Sequence, residues 1–431
     1  MATYKVVDAE QLNADMTSVA DSIRTKGGTT EALAWPDGYK TAIEAIQTGG
    51  GGGSSSDPLD PVEVYNTTRP SDWLSMPTPA DNEMYLLFHI PDGFSSLLAF
   101  TVTCTGNYTV ALGSVSDGAF VQMSSTTVAS GSKYETELFA NDYGNLTSDG
   151  HKQVMVKVSG TDILTWAPST HSKKTSPANF ACWNIVEISC NLPSGAKVAC
   201  GNDSVNLALK KLQYFTWIGK NAVTDMSAMF RSCYSLKAIP QLDTSAVAVT
   251  DMSYMFDSCC SLVAIPQLDT SAVMNMRGMF GSCYSMTAIP QLDTSAVTNM
   301  SAMFGNCYSL KAIPQLDASA VTNMSYMFYT CFSLVAIPQL DTSAVTNMKA
   351  MFGSCYSLTA ITLNNTVTGW AGYAISLSDC SLSHAAIVAF FNSLPTITSA
   401  KAITLTGNPG VSKLTNAEKA IATGKGWTLT L

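Results

Sequence analysis

Residues 299–322 read NMSAMFGNCYSLKAIPQLDASAVT, and variants of this stretch follow one another six times. A Met-Phe pair marks each copy; the first two pairs are 26 residues apart and the later ones 24. A fixed period in this range is typical of a solenoid, in which each unit buries its apolar face against its neighbours. We expect two interior ladders, one of phenylalanines and one of the cysteines that follow three residues later: Phe230, Phe256, Phe280, Phe304, Phe328 and Phe352, with Cys233, Cys259, Cys283, Cys307, Cys331 and Cys355.

One copy predicts one coil. Leu236, Ile239 and Leu242 predict a strand and its bend. Pro240 closes that strand, because proline has no backbone donor. The chain then returns through a short helical or 3₁₀ segment with Val247 on its apolar side, and the Asp or Asn before Met starts this segment by accepting a free N–H. Stacked coils are expected about 4.8 Å apart, the spacing of neighbouring strands.

The run Met-Phe-x-x-Cys-x-Ser-Leu resembles the Phe-x-x-Cys-x-x-Leu core of BspA-type leucine-rich repeats of bacterial surface proteins. The resemblance covers about a third of the chain. It implies a leucine-rich-repeat solenoid that binds partners, and it implies no shared chemistry, because repeats of this kind are binding scaffolds.

The fold class expected for the whole chain is mainly β. Five segments are predicted: an N-terminal helical anchor (1–48), a Gly/Ser linker (49–57), a β-sandwich or jelly-roll-like domain (58–200), the solenoid (201–382) and a C-terminal cap (383–431). Short alternating runs predict the strands of the β domain: Met84–Ile90, Leu97–Cys104, Tyr108–Leu112, Ala119–Met123, Tyr134–Ala140, Gln153–Val158, Asp162–Trp166 and Trp183–Ser189. In the cap, helices are predicted at 385–394 and 416–423 and a last strand at 427–431.

The N-terminal segment predicts attachment to other chains. Apolar residues between 9 and 23 form a short heptad seam, which belongs either to a helical hairpin that packs on itself or to a self-associating anchor. Because so short a seam does not hold alone in water, we expect a homo-oligomer, most simply a trimer, formed through these helices or through the β domain. Residues 19–28 and 35–39 resemble the N-termini of tail-associated structural proteins in phages of Gram-positive gut bacteria. The resemblance implies that residues 1–48 bind other virion tail or baseplate proteins.

Charge and hydropathy exclude several classes of partner. The net charge is −9, only 13% of residues are charged, and no basic stripe runs through the repeats, so nucleic acid is not an expected partner. The start has no apolar signal region and no 18-residue apolar run occurs, which predicts neither secretion nor membrane insertion. We therefore expect synthesis in a bacterial cytoplasm, final placement in a virion tail, and cysteines that stay thiols.

No catalytic motif, cofactor or metal site is predicted, and the chain is not expected to be an enzyme. The four histidines, His89, His151, His171 and His384, fall on separate predicted elements. A row of aspartates recurs in the Leu-Asp-Thr-Ser loops. It has three interpretations: loop capping through nearby N–H groups, calcium binding, or catalysis.

Two rows of side chains are candidates for ligand binding. An aromatic residue follows most of the ladder cysteines and is expected to lean outward, where it either stacks on its neighbours along the solenoid or contacts a ligand: Tyr234, Tyr284, Tyr308, Phe332 and Tyr356. A second row varies between copies, which predicts exposure because packing does not constrain it: Lys237, Val263, Thr287, Lys311, Val335 and Thr359. The strongest candidates in this second row are Lys237 and Lys311.

These observations favour a phage tail-fibre or receptor-binding protein that attaches the virion to a host cell-surface glycan or protein through the solenoid. The alternative is a bacterial BspA-type surface or secreted adhesion protein. A polysaccharide-degrading tail spike is a third hypothesis, and the absence of a clear carboxylate pair counts against it.

Overall fold

The structure is a computed structural model that describes residues 69–169, 184–193, 195–201, 208–218, 225–239, 242, 249–361 and 374–431. The predictions for the N-terminal anchor, its trimer seam and the Gly/Ser linker lie outside the described residues, as do His171 and Val247. The described residues confirm a mainly β fold with a repeat solenoid.

Eight strands form one hydrogen-bonded sheet ahead of the repeats. They are β1 (Glu83–Pro91), β2 (Ser95–Ser116), β3 (Ala119–Ala129), β4 (Lys133–Phe139), β5 (His151–Pro168), β6 (Ile185–Asn191), β7 (Lys197–Val198) and β8 (Tyr214–Trp217). The order is β3-β2-β5-β1-β6-β8, with β4 on β2 and β7 on β5. The pairs β5–β7 and β6–β8 are parallel and the others antiparallel.

Two strands are longer than predicted. The sequence predicts a turn near Asn107, but β2 runs through this point and shifts its register against β5 on either side of Thr105. Gly106 has a φ of +75°, so the glycine bends the strand without ending it. The predicted strands 153–158 and 162–166 likewise join into β5. Along one of its edges, each long strand therefore pairs with different neighbours in its two halves. This change of neighbours lets the single sheet curve around its buried side chains.

The return segment of each coil is a chain of turns, not the predicted helix. We number the coils by the order of their Met-Phe pairs, so that coil four contains Met303-Phe304. In this coil, Ala302 and Asn306 have left-handed φ angles of 53° and 61°, which no helix contains. The Oδ1 of Asn299 accepts the N–H of Ser301 at 3.0 Å, so the polar residue before Met caps a turn. Four N–H groups of this segment, those of Met300, Ala302, Phe304 and Asn306, donate to carbonyls of coil five over 2.7–3.0 Å.

The predicted strand after each cysteine is also wrong for the described coils. Parallel bridges between coils occur chiefly one residue before each first methionine, as in Asn299–Asn323. Over the predicted strand, the backbone hydrogen bonds between coils three and two run from Ser285 N–H to Cys260 O and from Thr287 N–H to Val263 O. Two bonds hold the coils in register without forming a ladder of strand length.

The interior ladders are confirmed. All six phenylalanines are at most 1% exposed, and neighbouring rings stack with centroids 5.7–5.8 Å apart. The six cysteines are buried free thiols, and Cys307 Sγ donates to the carbonyl of Phe280 in the coil before it at 3.0 Å. Burial raises the pKa of this thiol. In the longer first repeat, Val249 occupies the interior valine position.

Both ends of the solenoid are covered. At one end, β8 pairs with β6 of the sheet and bridges from Tyr214 to Ala238 of coil one. At the other end lie three parallel strands and two helices: β9 (Ile375–Ser376), α1 (His384–Ser393), β10 (Lys401–Thr404), α2 (Asn416–Thr423) and β11 (Trp427–Thr430). No helix in the described part of the chain is both long and apolar enough to span a membrane.

Candidate interaction surface of the solenoid

Amide and hydroxyl side chains form ladders along the outside of the solenoid. The Nε2 of Gln291 donates to the carbonyl of Gln315 in the next coil at 2.7 Å and to its own neighbour Leu292 at 3.1 Å. Thr322 Oγ1 donates to the carbonyl of Thr298 at 3.1 Å. Because these donors satisfy backbone carbonyls between coils, they stabilise the stack.

The aspartate row caps the loops. Asp293 Oδ1 accepts the N–H of Ser295 at 3.0 Å and its hydroxyl at 2.7 Å, and these two bonds lower the pKa of the carboxyl group. Asp269 and Asp317 make the same pair of bonds with their serines. The arrangement agrees with the loop-capping interpretation. An open groove of about 900 Å³ runs between the aspartate and glutamine rows.

The aromatic row stacks on itself. The ring centroids of Tyr284 and Tyr308 lie 4.6 Å apart, as do those of Tyr308 and Phe332, and Tyr356 follows at 5.0 Å. This spacing leaves no room for another ring between them, so a ligand can reach the ring edges but not the inner faces. Phe332 is only 5% exposed. Tyr234 lies apart from the stack because Cys260 replaces the aromatic residue of coil two, and the Nζ of Lys210 lies 5.4 Å from its ring centre.

The varying row lies at the surface. Lys237, Lys311, Val335 and Thr359 are exposed, and the two remaining members, Val263 and Thr287, are partly buried. Val335 is 51% exposed, so the row includes an apolar side chain at the surface. These positions can therefore change between coils without changing the interior.

Sequence reasoning missed a second exposed group, which lies on the left-handed turns. Tyr326 and Tyr329 are 37% and 40% exposed, and their rings meet edge to face at 5.8 Å. The Nζ of Lys349 lies 5.8 Å from the Tyr326 ring centre. The signal was present in the sequence, since both positions differ from copy to copy, just as the Lys/Val/Thr row does.

Glycines of one coil make room for these rings in the coil before. A Cβ added at Gly278 would lie 2.6 Å from the Cδ1 and Cε1 atoms of Tyr254. A Cβ at Gly353 would lie 3.0 Å from the ring of Tyr329. Large and small residues are thus matched across neighbouring coils, so the surface pattern is set by pairs of coils.

Coil two carries charge where coil five carries aromatic surface. Tyr254 lies between the guanidinium groups of Arg231 and Arg277, at 4.6 and 5.3 Å from its ring centre. Arg231 pairs with Asp257 at 2.9 Å, and Asp257 occupies the position that Tyr329 has in coil five. Coils two and five therefore present two chemically different surfaces on the same framework.

The comparison with known families concerns the solenoid. Residues 210–312 and 250–370 match a family described as "Mycoplasma protein of unknown function, DUF285". The matched region covers less than half of the chain. No curated protein matches the chain. Together, the family match and the stacked coils fit a BspA-type repeat protein.

Proposed function

We propose that this protein is a BspA-type surface or secreted adhesion protein, which binds a glycan or protein partner through the outside of its solenoid and catalyses no reaction. The observation that carries the proposal is the contrast between the interior ladders, repeated almost unchanged, and the exposed positions, which differ between coils. A solenoid that served only as a spacer has no need for such variation. The family match at 210–370 supports the same conclusion.

The best candidate for the centre of the contact is coil five, the coil that contains Met327-Phe328. It presents Tyr326, Tyr329 and Val335, three of the four large apolar side chains that are exposed among the described coils. Exposed tyrosines supply rigid area together with a hydroxyl group, and such residues commonly dominate binding energy. Lys311 in coil four contributes a cation on the varying row.

The test replaces residues of one coil with the residues that another coil has at the same positions. These substitutions should preserve the fold, because the same coil framework already contains them. A variant of the full chain with Tyr326→Ala, Tyr329→Gly and Val335→Thr has the residues found at these positions in coil six. Binding to intact bacterial cells and to a glycan array should fall at least tenfold. The matched control, Val263→Thr in coil two, should bind as the unaltered chain does.

Equal binding by the coil-five variant would refute this placement of the contact. Truncation is a weaker test, because a fragment ending at Gly201 loses β8, which pairs with β6, and so exposes a sheet edge. An assay for new reducing ends on host polysaccharide tests the absence of catalysis, and release of such ends would overturn that part of the proposal.

A second candidate function is a virion adhesin, favoured by the resemblance of residues 19–28 and 35–39 to phage tail proteins. The two candidates share the binding surface and differ in the particle that carries it. Antibody labelling of purified virions and of intact bacterial cells separates them. Light scattering on the full chain tests the trimer proposed for residues 1–48, and a monomer mass at micromolar concentration would contradict it.

A further inference from the structure

Two of the four histidines meet on one face of the sheet, although the sequence places them on separate elements. His89 lies on β1 and pairs with Gln153 on β5, so His151 is its diagonal neighbour on the same face. Their ring centroids are 5.6 Å apart. The pairing of β1 with β5 brings the two side chains together, and no local sequence signal specifies that pairing.

His89 has an unused nitrogen in a buried position. The residue is 4% exposed, Trp73 packs edge-on against its ring at 4.8 Å, and its Nε2 has no hydrogen-bond partner. A buried polar atom without a partner is destabilising, and each such atom in a folded protein calls for an explanation.

A carboxylate completes the cluster. Asp149 Oδ1 lies 3.1 Å from Nδ1 of His151, without the alignment of a hydrogen bond. One ligand atom from each of His89, Asp149 and His151 lies within 4.8 Å of the others. Two ligand atoms of a tetrahedral zinc ion at 2.0–2.2 Å lie about 3.3–3.6 Å apart, so the three side chains must close by about 1 Å when the ion binds. The side chains of Asp149 and His151 are 61% and 25% exposed, which leaves them room to adjust.

Groups around the cluster also fit a cation. The hydroxyl of Thr147 donates to Asp149, which holds that carboxylate in place. Asp72, whose Oδ2 accepts the N–H of Ser148 at 2.6 Å, adds negative charge close by. The positive charge of Lys211 also acts on the cluster and opposes the negative charge of Asp72 and Asp149. Its Nζ is hydrogen-bonded to Asn184 Oδ1 at 2.8 Å, outside the proposed ligand set.

We propose that His89, His151 and Asp149 bind a first-row divalent metal ion, with zinc as the first choice. Two imidazoles and one carboxylate are a donor set that zinc takes in proteins, with water in the fourth position. The ion joins β1 to the loop that leads into β5. Because the ligands come together only in the folded chain, binding stabilises the β domain.

Titration calorimetry and thermal unfolding of the untagged full chain test the site with zinc chloride. We expect one zinc per chain and a rise in the midpoint of unfolding. His151→Gln and Asp149→Asn remove partly exposed ligands, so both variants should fold, and each should weaken zinc binding at least about tenfold, since even outer-shell losses cost that much. Cobalt(II) should give the visible absorption of a four-coordinate site.

His384→Gln is the control, because this histidine lies in the cap and contacts Glu418 at 3.1 Å. It should leave zinc affinity unchanged. Saturable binding that persists in both ligand variants, or that His384→Gln abolishes, would place the metal elsewhere and overturn the proposal. The proposal is also overturned if circular dichroism shows that the full chain is folded and calorimetry of that chain shows no saturable zinc binding.

Discussion

Replacing Gly278 with alanine tests how strongly a glycine in one coil determines the position of an aromatic ring in the coil before it. Gly278 has a φ of +58°, and a left-handed alanine costs about 1–2 kcal/mol. The added Cβ would also lie 2.6 Å from two ring atoms of Tyr254, and overpacking of this kind costs about 1–3 kcal/mol. The smaller entropy of the unfolded alanine chain returns about 0.4–1 kcal/mol. We therefore expect Gly278→Ala to lower the free energy of unfolding by about 2–4 kcal/mol.

Denaturant unfolding followed by circular dichroism measures this loss, and a double-mutant cycle separates its two causes. In a Tyr254→Ala background the clash is absent, so Gly278→Ala should cost only about 1 kcal/mol, the strain of the left-handed backbone. Ala302→Gly is the control in coil four. Its φ is 53°, and it should be neutral or slightly stabilising. If Tyr254→Ala left the cost of Gly278→Ala unchanged, the matching of coils through ring and glycine would be refuted.

Three further predictions concern the interior and one partly buried ion pair. Phe304→Ala removes a fully buried ring from the middle of the stack and should lower the free energy of unfolding by about 3–5 kcal/mol; a loss below about 1 kcal/mol in denaturant titration would contradict the stack. Cys307 should not react with a thiol reagent until the chain unfolds, because burial raises its pKa, whereas the partly exposed Cys260 should react in the native protein. Burial raises the pKa of Asp257 to about 6 from its ordinary 3.8, against the opposing pull of Arg231. Its contribution to stability is therefore complete below about pH 4 and is lost as pH rises through 6, by up to about 3 kcal/mol. Asp257→Asn should remove that pH dependence, and an unchanged profile would show that the carboxyl group titrates normally.

The repeat made the interior predictable. Phe304 and Cys307 recur at one spacing in every copy, and a stack that buries one residue buries its equivalents, so burial follows from the period alone. The cap helix at 416–423 was predictable for a local reason as well: Thr415 and Glu418 form a capping box within four residues. The loop-capping role of Asp293 likewise depends on a serine two residues away. In each case the sequence pattern that predicts the structure lies inside one repeat or one turn.

The tertiary structure decided what depends on contacts between distant parts of the chain. In the return segment, alternate N–H groups bond to the next coil, as that of Phe304 does to Met327, and those between them bond three residues back, as that of Gly305 does to Ala302. The bonds to the next coil are what make the segment left-handed turns and not a helix. The position of Tyr254 depends on a glycine one coil later, and His89 meets His151 only because β1 pairs with β5. Composition and period determine which side chains are buried, since apolar residues that recur at one position of every coil face the interior of the stack. The partner of each polar or aromatic group is set by the register of coils and strands, which the sequence specifies only through the whole fold.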